Sequence, residues 1–220
     1  GAERYMFNLS ALLEQHGVEV IPFAMQHPRS FETPYYDYFV GHFEPDAILK
    51  NLTPVNGAKS VARVLYNREA RRKIEALIRD TRPDIAHVHG VYHHLSPSVL
   101  FSLKKYHLPV IFTLHEYKIL CPSYLFLDRH GDICERCRGK HFWHPLTQRC
   151  LKDSLGASAL ISAEAYLHRL LGSYRNYVDL YHSPSKFLRT KMIEYGFAPE
   201  KIAWLPYTIP IQEYTPHYGG

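Results

Sequence analysis

Short apolar runs alternate with longer amphipathic stretches along most of this chain, and that order restricts its fold more than any other feature. The apolar runs predict five strands, at 18–23, 85–89, 108–114, 178–181 and 202–205. Apolar spacing predicts helices over 3–16, 58–80 and 158–175, and two more that begin at Ser96-Pro97 and Ser183-Pro184. Strands alternating with helices favour an α/β fold, a doubly wound parallel sheet.

Size and composition restrict the class of protein further. A chain of 220 residues suits one large domain or two small ones, and its 46% hydrophobic content is enough for a buried core. Since no apolar run reaches 18 residues, the sequence predicts no membrane-spanning helix. The net charge of +5 with histidines neutral allows an anionic partner, which could be a nucleotide diphosphate, an anionic lipid or nucleic acid.

Both ends of the chain suggest a fragment. A doubly wound domain is expected to start with a strand, whereas this chain opens with the predicted helix 3–16. After Pro206, prolines and glycines give the composition of a linker. We therefore expect one domain over 1–206 whose first strand is missing, followed by a linker over 207–220.

All four cysteines lie within 30 residues, with the spacing C-x12-C-x2-C-x12-C. A Cys-x-x-Cys pair flanked by two further cysteines favours a structural zinc site made of Cys121, Cys134, Cys137 and Cys150. Two disulfides, an iron–sulfur cluster and free thiols remain open, and a redox Cys-x-x-Cys would leave two cysteines without a role. The segment follows the predicted strand 108–114, and ligands of open α/β sheets bind at the carboxyl ends of strands.

Four segments, read in order, resemble glycosyltransferase family 4 over essentially the whole chain. They are Gly1–Tyr5, Pro83–Gly90, Thr113–Tyr117 and Ser183–Leu188. The resemblance implies a Rossmann-like domain, the N-terminal, acceptor-side half of a two-domain GT-B enzyme, and 207–220 would lead to an absent donor domain. The subgroup that the chain resembles most carries a cysteine-containing insert, here about 117–157.

The resemblance also implies an activity. Such an enzyme transfers a sugar from a nucleotide-sugar donor to a glycan or lipid-linked acceptor, usually with retention and without a catalytic metal. It would be a hexosyltransferase-like enzyme of polysaccharide biosynthesis, cytoplasmic or peripherally associated with the inner face of the membrane, and without a nucleic-acid partner. Because the donor domain is absent, we expect the fragment alone to be inactive.

Matching positions imply roles for individual residues. Gly1 would start a helix that faces the donor diphosphate, although a plain helix-start glycine is the alternative. His115 would be the catalytic residue that faces the reacting sugar, or else a core histidine. We expect His89 to line the same cleft and His87 to alternate away from it.

Further substrate-binding candidates lie at two strand ends. Glu116 and Lys118 follow the strand that precedes His115, and Ser185 and Lys186 follow the predicted strand 178–181. Helix capping explains the serine equally well. Acceptor choice is expected in the aromatic segment 25–56, which includes Phe31, Tyr35, Tyr36, Tyr38 and Phe39.

Two other classes of function compete with the enzyme. The positive charge and the cysteines allow a zinc-stapled nucleic-acid-binding module, but the basic residues are spread over several helices and no known binding motif occurs. A non-catalytic module that recognises a sugar or a lipid is the second alternative. A hydrolase is disfavoured because the chain has no Gly-x-Ser-x-Gly sequence.

Overall fold

The central element of the fold is a four-stranded parallel sheet. A computed structural model of the chain describes residues 1–43 and 54–209. Its strands are β1 Ala86–His89, β2 Val110–Thr113, β3 Leu180–Ser183 and β4 Ile202–Trp204, in the spatial order β1-β2-β3-β4. All three neighbouring pairs run parallel. The predicted α/β fold with a parallel, Rossmann-like sheet is therefore confirmed.

Helices connect the strands and flank the sheet. They are α1 Ala2–Gln15, α2 Pro54–Leu65, α3 Arg68–Thr81, α4 Tyr92–Leu95, α5 Ser98–Lys105, α6 His144–Gln148, α7 Leu155–Leu170, α8 Ser173–Tyr177 and α9 Lys186–Glu194. Short 3-10 turns occur at Tyr36–Tyr38, Arg138–Lys140 and Pro199–Lys201. Across the described residues, no helix combines the length and apolarity needed to cross a membrane.

The core forms around the central strand β2. Val110 and Phe112 are fully buried, and Leu100 of α5, Tyr181 of β3 and Met192 of α9 belong to the same apolar cluster. Helices therefore cover β2, which explains why its first three residues are apolar. Burial of each such side chain stabilises the fold by about 1.5–3 kcal/mol.

The predicted strand 18–23 is wrong. No strand among the described residues pairs with this segment, and its first residue, Val18, is 45% exposed. A strand needs a neighbour to bond its backbone, so apolar composition alone is not sufficient. The nearest ladder contact is a single parallel bridge between Met25 and Val40.

The predicted helix 58–80 is two helices, α2 and α3, separated at Asn67. This side chain accepts a hydrogen bond from the amide of Ala70 at 2.9 Å and donates one to the carbonyl of His94, also at 2.9 Å. Asparagine is a strong N-cap, so it starts a new helix inside a continuous apolar pattern. The other end of α3 is Arg82 in a left-handed conformation, just before the proline at 83.

The predicted helix 158–175 also divides, into α7 and α8. Gly172 lies between them at φ +64°, a conformation that glycine adopts without strain. The helix predicted to begin at Ser183-Pro184 begins two residues later, because Ser185 is the N-cap. The serine at 183 belongs instead to the end of β3.

The segment 117–157 is mostly turns, but it is well packed against the domain. Leu120, Cys121 and Phe126 are buried in the main core. The ring of Phe126 lies 5.8 Å from that of Tyr195, measured between centroids. The predicted insert therefore rests on the sheet rather than projecting away from it.

The predicted acceptor loop is only partly exposed. Phe39 is fully buried, so its assignment to an acceptor surface is wrong. The hydroxyl of Tyr38 donates to Asp80 at 2.6 Å and that of Tyr35 donates to Glu19 at 2.8 Å, so both tie the loop to the domain. The remainder of the predicted loop, 44–53, lies outside the described residues.

Candidate active site

Histidines from two parallel strands converge on Thr113 of the central strand. The Nε2 atom of His87 lies 2.7 Å from the hydroxyl of Thr113, and that hydroxyl lies 3.0 Å from Nδ1 of His182. His182 Nε2 bonds the carbonyl of Leu205 at 2.7 Å. We call these four residues the anchored arm.

The carbonyl at the end of the anchored arm fixes the direction of its hydrogen bonds. A carbonyl only accepts, so His182 carries a proton on Nε2, and when that is the single proton of the ring its Nδ1 accepts from Thr113. Thr113 in turn accepts from Nε2–H of His87. The tautomers of both imidazoles are therefore set by one backbone group.

A second set of hydrogen bonds lies beside the first and includes His115. The Nε2 atom of His115 is 2.9 Å from Nδ1 of His89, and its Nδ1 atom is 2.6 Å from the hydroxyl of Tyr207. We call these three residues the His115 arm. Tyr5 of α1 packs against it, with its ring centroid 5.9 Å from that of His115 and 4.2 Å from that of Tyr207.

The structure brings His89 and His115 together, as predicted, but it contradicts the prediction for His87. The rings of His87 and His89 lie 4.2 Å apart on the same side of β1. Successive side chains of a strand alternate, so residues two positions apart share a face. His87 therefore belongs to the same cluster instead of pointing away from it.

Burial keeps the imidazoles of His87, His89 and His115 neutral. Burial, followed by the neighbouring His182 and His115, lowers the pKa of His87 to about 4. Burial, followed by His87, His115 and His182, lowers the pKa of His89 to about 3. For His115 the pKa falls to about 4, through burial, then His182 and the amino group of Gly1. At neutral pH each ring therefore has one N–H to donate and one nitrogen to accept.

Of the two loop candidates, Glu116 is half-buried and Lys118 is buried. Burial raises the pKa of Glu116, opposed by Lys118 and reinforced by Glu164. The ammonium of Lys118 lies 2.8 Å from Glu164 Oε2 and donates to the carbonyl of Pro122 at 3.0 Å. Lys118 is thus engaged inside the protein, and its prediction as a substrate-binding residue is wrong for this conformation.

The predicted phosphate and donor contacts lie on exposed helix starts. Gly1 precedes α1, and a Cβ built there meets nothing within 4 Å, so no close contact requires a glycine. The hydroxyl of Ser185 accepts from the amide of Leu188 at 3.1 Å, which is the capping role considered as its alternative. The ammonium of Lys186 lies 4.5 Å from the ring centroid of Trp204.

Comparison with known proteins gives the family. A family model described as Glycosyltransferase Family 4 matches residues 1–213. The chain belongs to glycosyltransferase family 4. No match was found among curated proteins or among solved structures. Membership supports a glycosyltransferase-type enzyme with a nucleotide-sugar donor and a glycan acceptor, and the parallel sheet fits the Rossmann-like half of a GT-B fold.

The cysteines of this family-4 chain are four free thiols, with Cys121 and Cys137 buried. Burial raises the pKa of Cys137, and the other three thiols raise it further. Burial, followed by Cys121 and Cys134, also raises the pKa of Cys150, to about 11. The sulfurs therefore lie within electrostatic reach of one another. Within residues 1–43 and 54–209, however, no group of three or more His, Cys, Asp or Glu is arranged to hold a metal ion.

Three residues of this candidate site were missed from the sequence. His182 was placed just past the predicted strand 178–181, although it lies inside β3. Tyr207 falls in the segment predicted to be a linker, and Tyr5 was noted only as part of a motif. The position of His182 beside the end of a predicted strand was the one sequence signal that could have placed it in the site. The two tyrosines enter the site through tertiary packing.

Proposed function

We propose that this family-4 domain binds the acceptor and forms part of the catalytic cleft of a retaining, hexosyltransferase-like enzyme. The donor would be a nucleotide sugar and the acceptor a glycan or a lipid-linked sugar, with no catalytic metal. The observation that carries the proposal is the cluster of hydrogen-bonded imidazoles at the carboxyl ends of β1, β2 and β3, in which His89 and His115 are neutral. Ligands of open α/β sheets bind at this edge.

Within this proposal His115 is the catalytic residue. It is half-buried, and its ring lies in the His115 arm rather than in the apolar core. An uncharged imidazole can hydrogen-bond a sugar hydroxyl without attracting phosphate ions from the solvent. It also stabilises the charge that develops as the leaving group departs. His89 orients this ring through their 2.9 Å hydrogen bond.

A test of the proposal is the replacement of His115 by Ala in the intact protein. Transfer of labelled sugar should fall by about 10²-fold or more, the usual effect of losing a positioned acid–base or hydrogen-bonding group. The control is His16→Ala, which removes an exposed imidazole whose one hydrogen bond within the described residues is to the carbonyl of Leu12. Normal turnover by His115→Ala, with a normal melting temperature, would refute the catalytic role.

We also propose that the chain belongs to the subgroup with a cysteine-containing insert, and that a structural zinc holds this insert. The spacing of Cys121, Cys134, Cys137 and Cys150 and their mutual effect on thiol pKa support this. The donor set suits zinc, although the thiols here do not form a complete ligand group. The metal would stabilise the segment 117–157 and take no part in sugar transfer.

We propose a cytoplasmic enzyme that associates peripherally with the inner face of a membrane. The net charge of +5 supports attraction to anionic lipid. An open groove of about 250 Å³ on α3, lined by Arg68, Arg71, Arg72, Arg79 and Glu75, is a basic concave surface that supports it. Binding to vesicles that contain anionic lipid, but not to neutral vesicles, would test this association.

A further inference from the structure

The chain beyond β4 returns to the histidine cluster and is held there by its backbone. The amide of Leu205 donates to the carbonyl of Ser183 at 3.1 Å, and the carbonyl of Leu205 accepts from His182 at 2.7 Å. These two bonds determine where Tyr207 lies, two residues later. Its hydroxyl reaches Nδ1 of His115 at 2.6 Å.

The ring of Tyr207 is held by aromatic packing as well. Its centroid lies 4.2 Å from that of Tyr5, 5.6 Å from that of His115 and 6.2 Å from that of His182. Tyr5 is itself 7% exposed, so the contact joins Tyr207 to a well-fixed residue of α1. The hydroxyl of Tyr207 is therefore presented to His115 by a ring that packs against three others, although 38% of the residue is exposed.

We propose that Tyr207 is a positioning residue that fixes the tautomer and the ring orientation of His115. Its hydroxyl donates to Nδ1, which leaves the single proton of the neutral imidazole on Nε2. That N–H points towards Nδ1 of His89 and towards any ligand oxygen that takes the place of His89. His115 then acts as a hydrogen-bond donor to the sugar and does not remove a proton from it.

The charges around this pair favour the proposed direction of the bond. Burial and the neighbouring Tyr5 raise the pKa of Tyr207 to about 12, so its phenol keeps a proton to donate at neutral pH. Among the described residues, the groups that face His115 are His89, His182 and the two tyrosines, and none of them is a carboxylate. No anion in this part of the chain therefore draws a proton onto Nδ1.

The tautomer is measured directly by long-range proton–nitrogen correlation spectra of the histidine rings. Loss of a signal set in His115→Gln assigns His115. The wild type should show the proton on Nε2, and Tyr207→Phe, which keeps the ring, should show a mixture of both tautomers. The matched control is Tyr5→Phe, because Tyr5 contacts the same rings but its hydroxyl has no hydrogen bond within the described residues. A proton on Nδ1 in the wild type, or an unchanged spectrum in Tyr207→Phe, would overturn the proposal.

The kinetic consequence rests on the proposed function and is measured separately. In the intact protein Tyr207→Phe should lower kcat by about 5- to 10-fold, the effect of one neutral hydrogen bond, and leave KM nearly unchanged. Tyr166→Phe, on the exposed side of α7, should keep normal kcat. An unchanged kcat in Tyr207→Phe also overturns the positioning role. Wild-type protein without transfer activity would overturn the proposed function instead, and the spectra would still decide the role of Tyr207.

Discussion

One buried ion pair joins the segment that follows β2 to the long helix α7. Lys118 and Glu164 are separated by 2.8 Å between Nζ and Oε2, and their side chains are only 4% and 3% exposed. Lys118 also donates to the carbonyl of Pro122, so the ammonium holds the turn as well as the helix. Removing either charge should therefore cost far more than removing a surface charge.

We expect Lys118→Met to lower the free energy of unfolding by about 3–5 kcal/mol. Methionine has a similar length, so the main loss is the charge that compensates the buried Glu164. For a chain of this size, about 2–4 °C per kcal/mol gives a fall in Tm of about 6–20 °C. The assay is urea or thermal unfolding at about pH 8, because a protonated His93, 3.8 Å from the same carboxylate oxygen, would replace part of the lost charge.

Two further variants serve as controls for this prediction. Lys104→Met breaks the pair with Asp179, whose charged atoms are 3.1 Å apart but whose side chains are both 44% exposed, so the loss should stay below about 1 kcal/mol. Adding Glu164→Leu to Lys118→Met removes the unpaired carboxylate and should restore most of the stability. If Lys118→Met is no more destabilising than Lys104→Met, or the second substitution restores nothing, the reasoning is refuted.

Two further predictions concern the thiols and the histidines. Freshly purified protein should contain about one zinc per chain. The substitution Cys134→Ser should loosen the segment 117–157, while the far-UV circular dichroism signal of the sheet persists. Native protein with two disulfides and no metal would contradict this prediction. The unfolded-state pKa of histidine is about 6.5 and the folded values for His87, His89 and His115 are about 3 to 4. The unfolded chain therefore binds more protons between these values, so urea midpoints should fall as pH drops from about 6.5 to 4 and stay level above 7, and His89→Gln should reduce that slope. A midpoint that rises on acidification would contradict the assigned neutral state.

Sequence patterns located the sheet well where a strand is apolar throughout. Val110–Thr113 lies inside the predicted run 108–114, and Ile202–Trp204 lies inside 202–205. The limits of β3 were missed by two residues because its last residues, His182 and Ser183, are polar and buried only by the domain around them. The helix boundary at Asn67 was also missed, because the apolar period continues across the break that its side chain creates.

The candidate site shows a similar division between local and tertiary information. That parallel strands end at one edge was enough to place His89 beside His115, and their nitrogens are indeed 2.9 Å apart. The prediction for His87 could have been correct from the sequence alone, because residues two positions apart on a strand share a face and His87 therefore lies on the same side as His89. No local pattern, by contrast, indicates that Lys118 turns inward to Glu164, a partner 46 positions further along the chain.

Both arms of the histidine cluster end on the same short stretch of chain. The anchored arm ends at the carbonyl of Leu205, and the His115 arm ends at the hydroxyl of Tyr207. Because a neutral imidazole has one donor and one acceptor, the group at the end of an arm decides the proton positions along it. A shift of 205–207 relative to β3 would therefore alter the hydrogen bonding of both arms together. The bond between Leu205 and Ser183 is the contact that prevents such a shift, which makes the end of β4 part of the site as well as of the sheet.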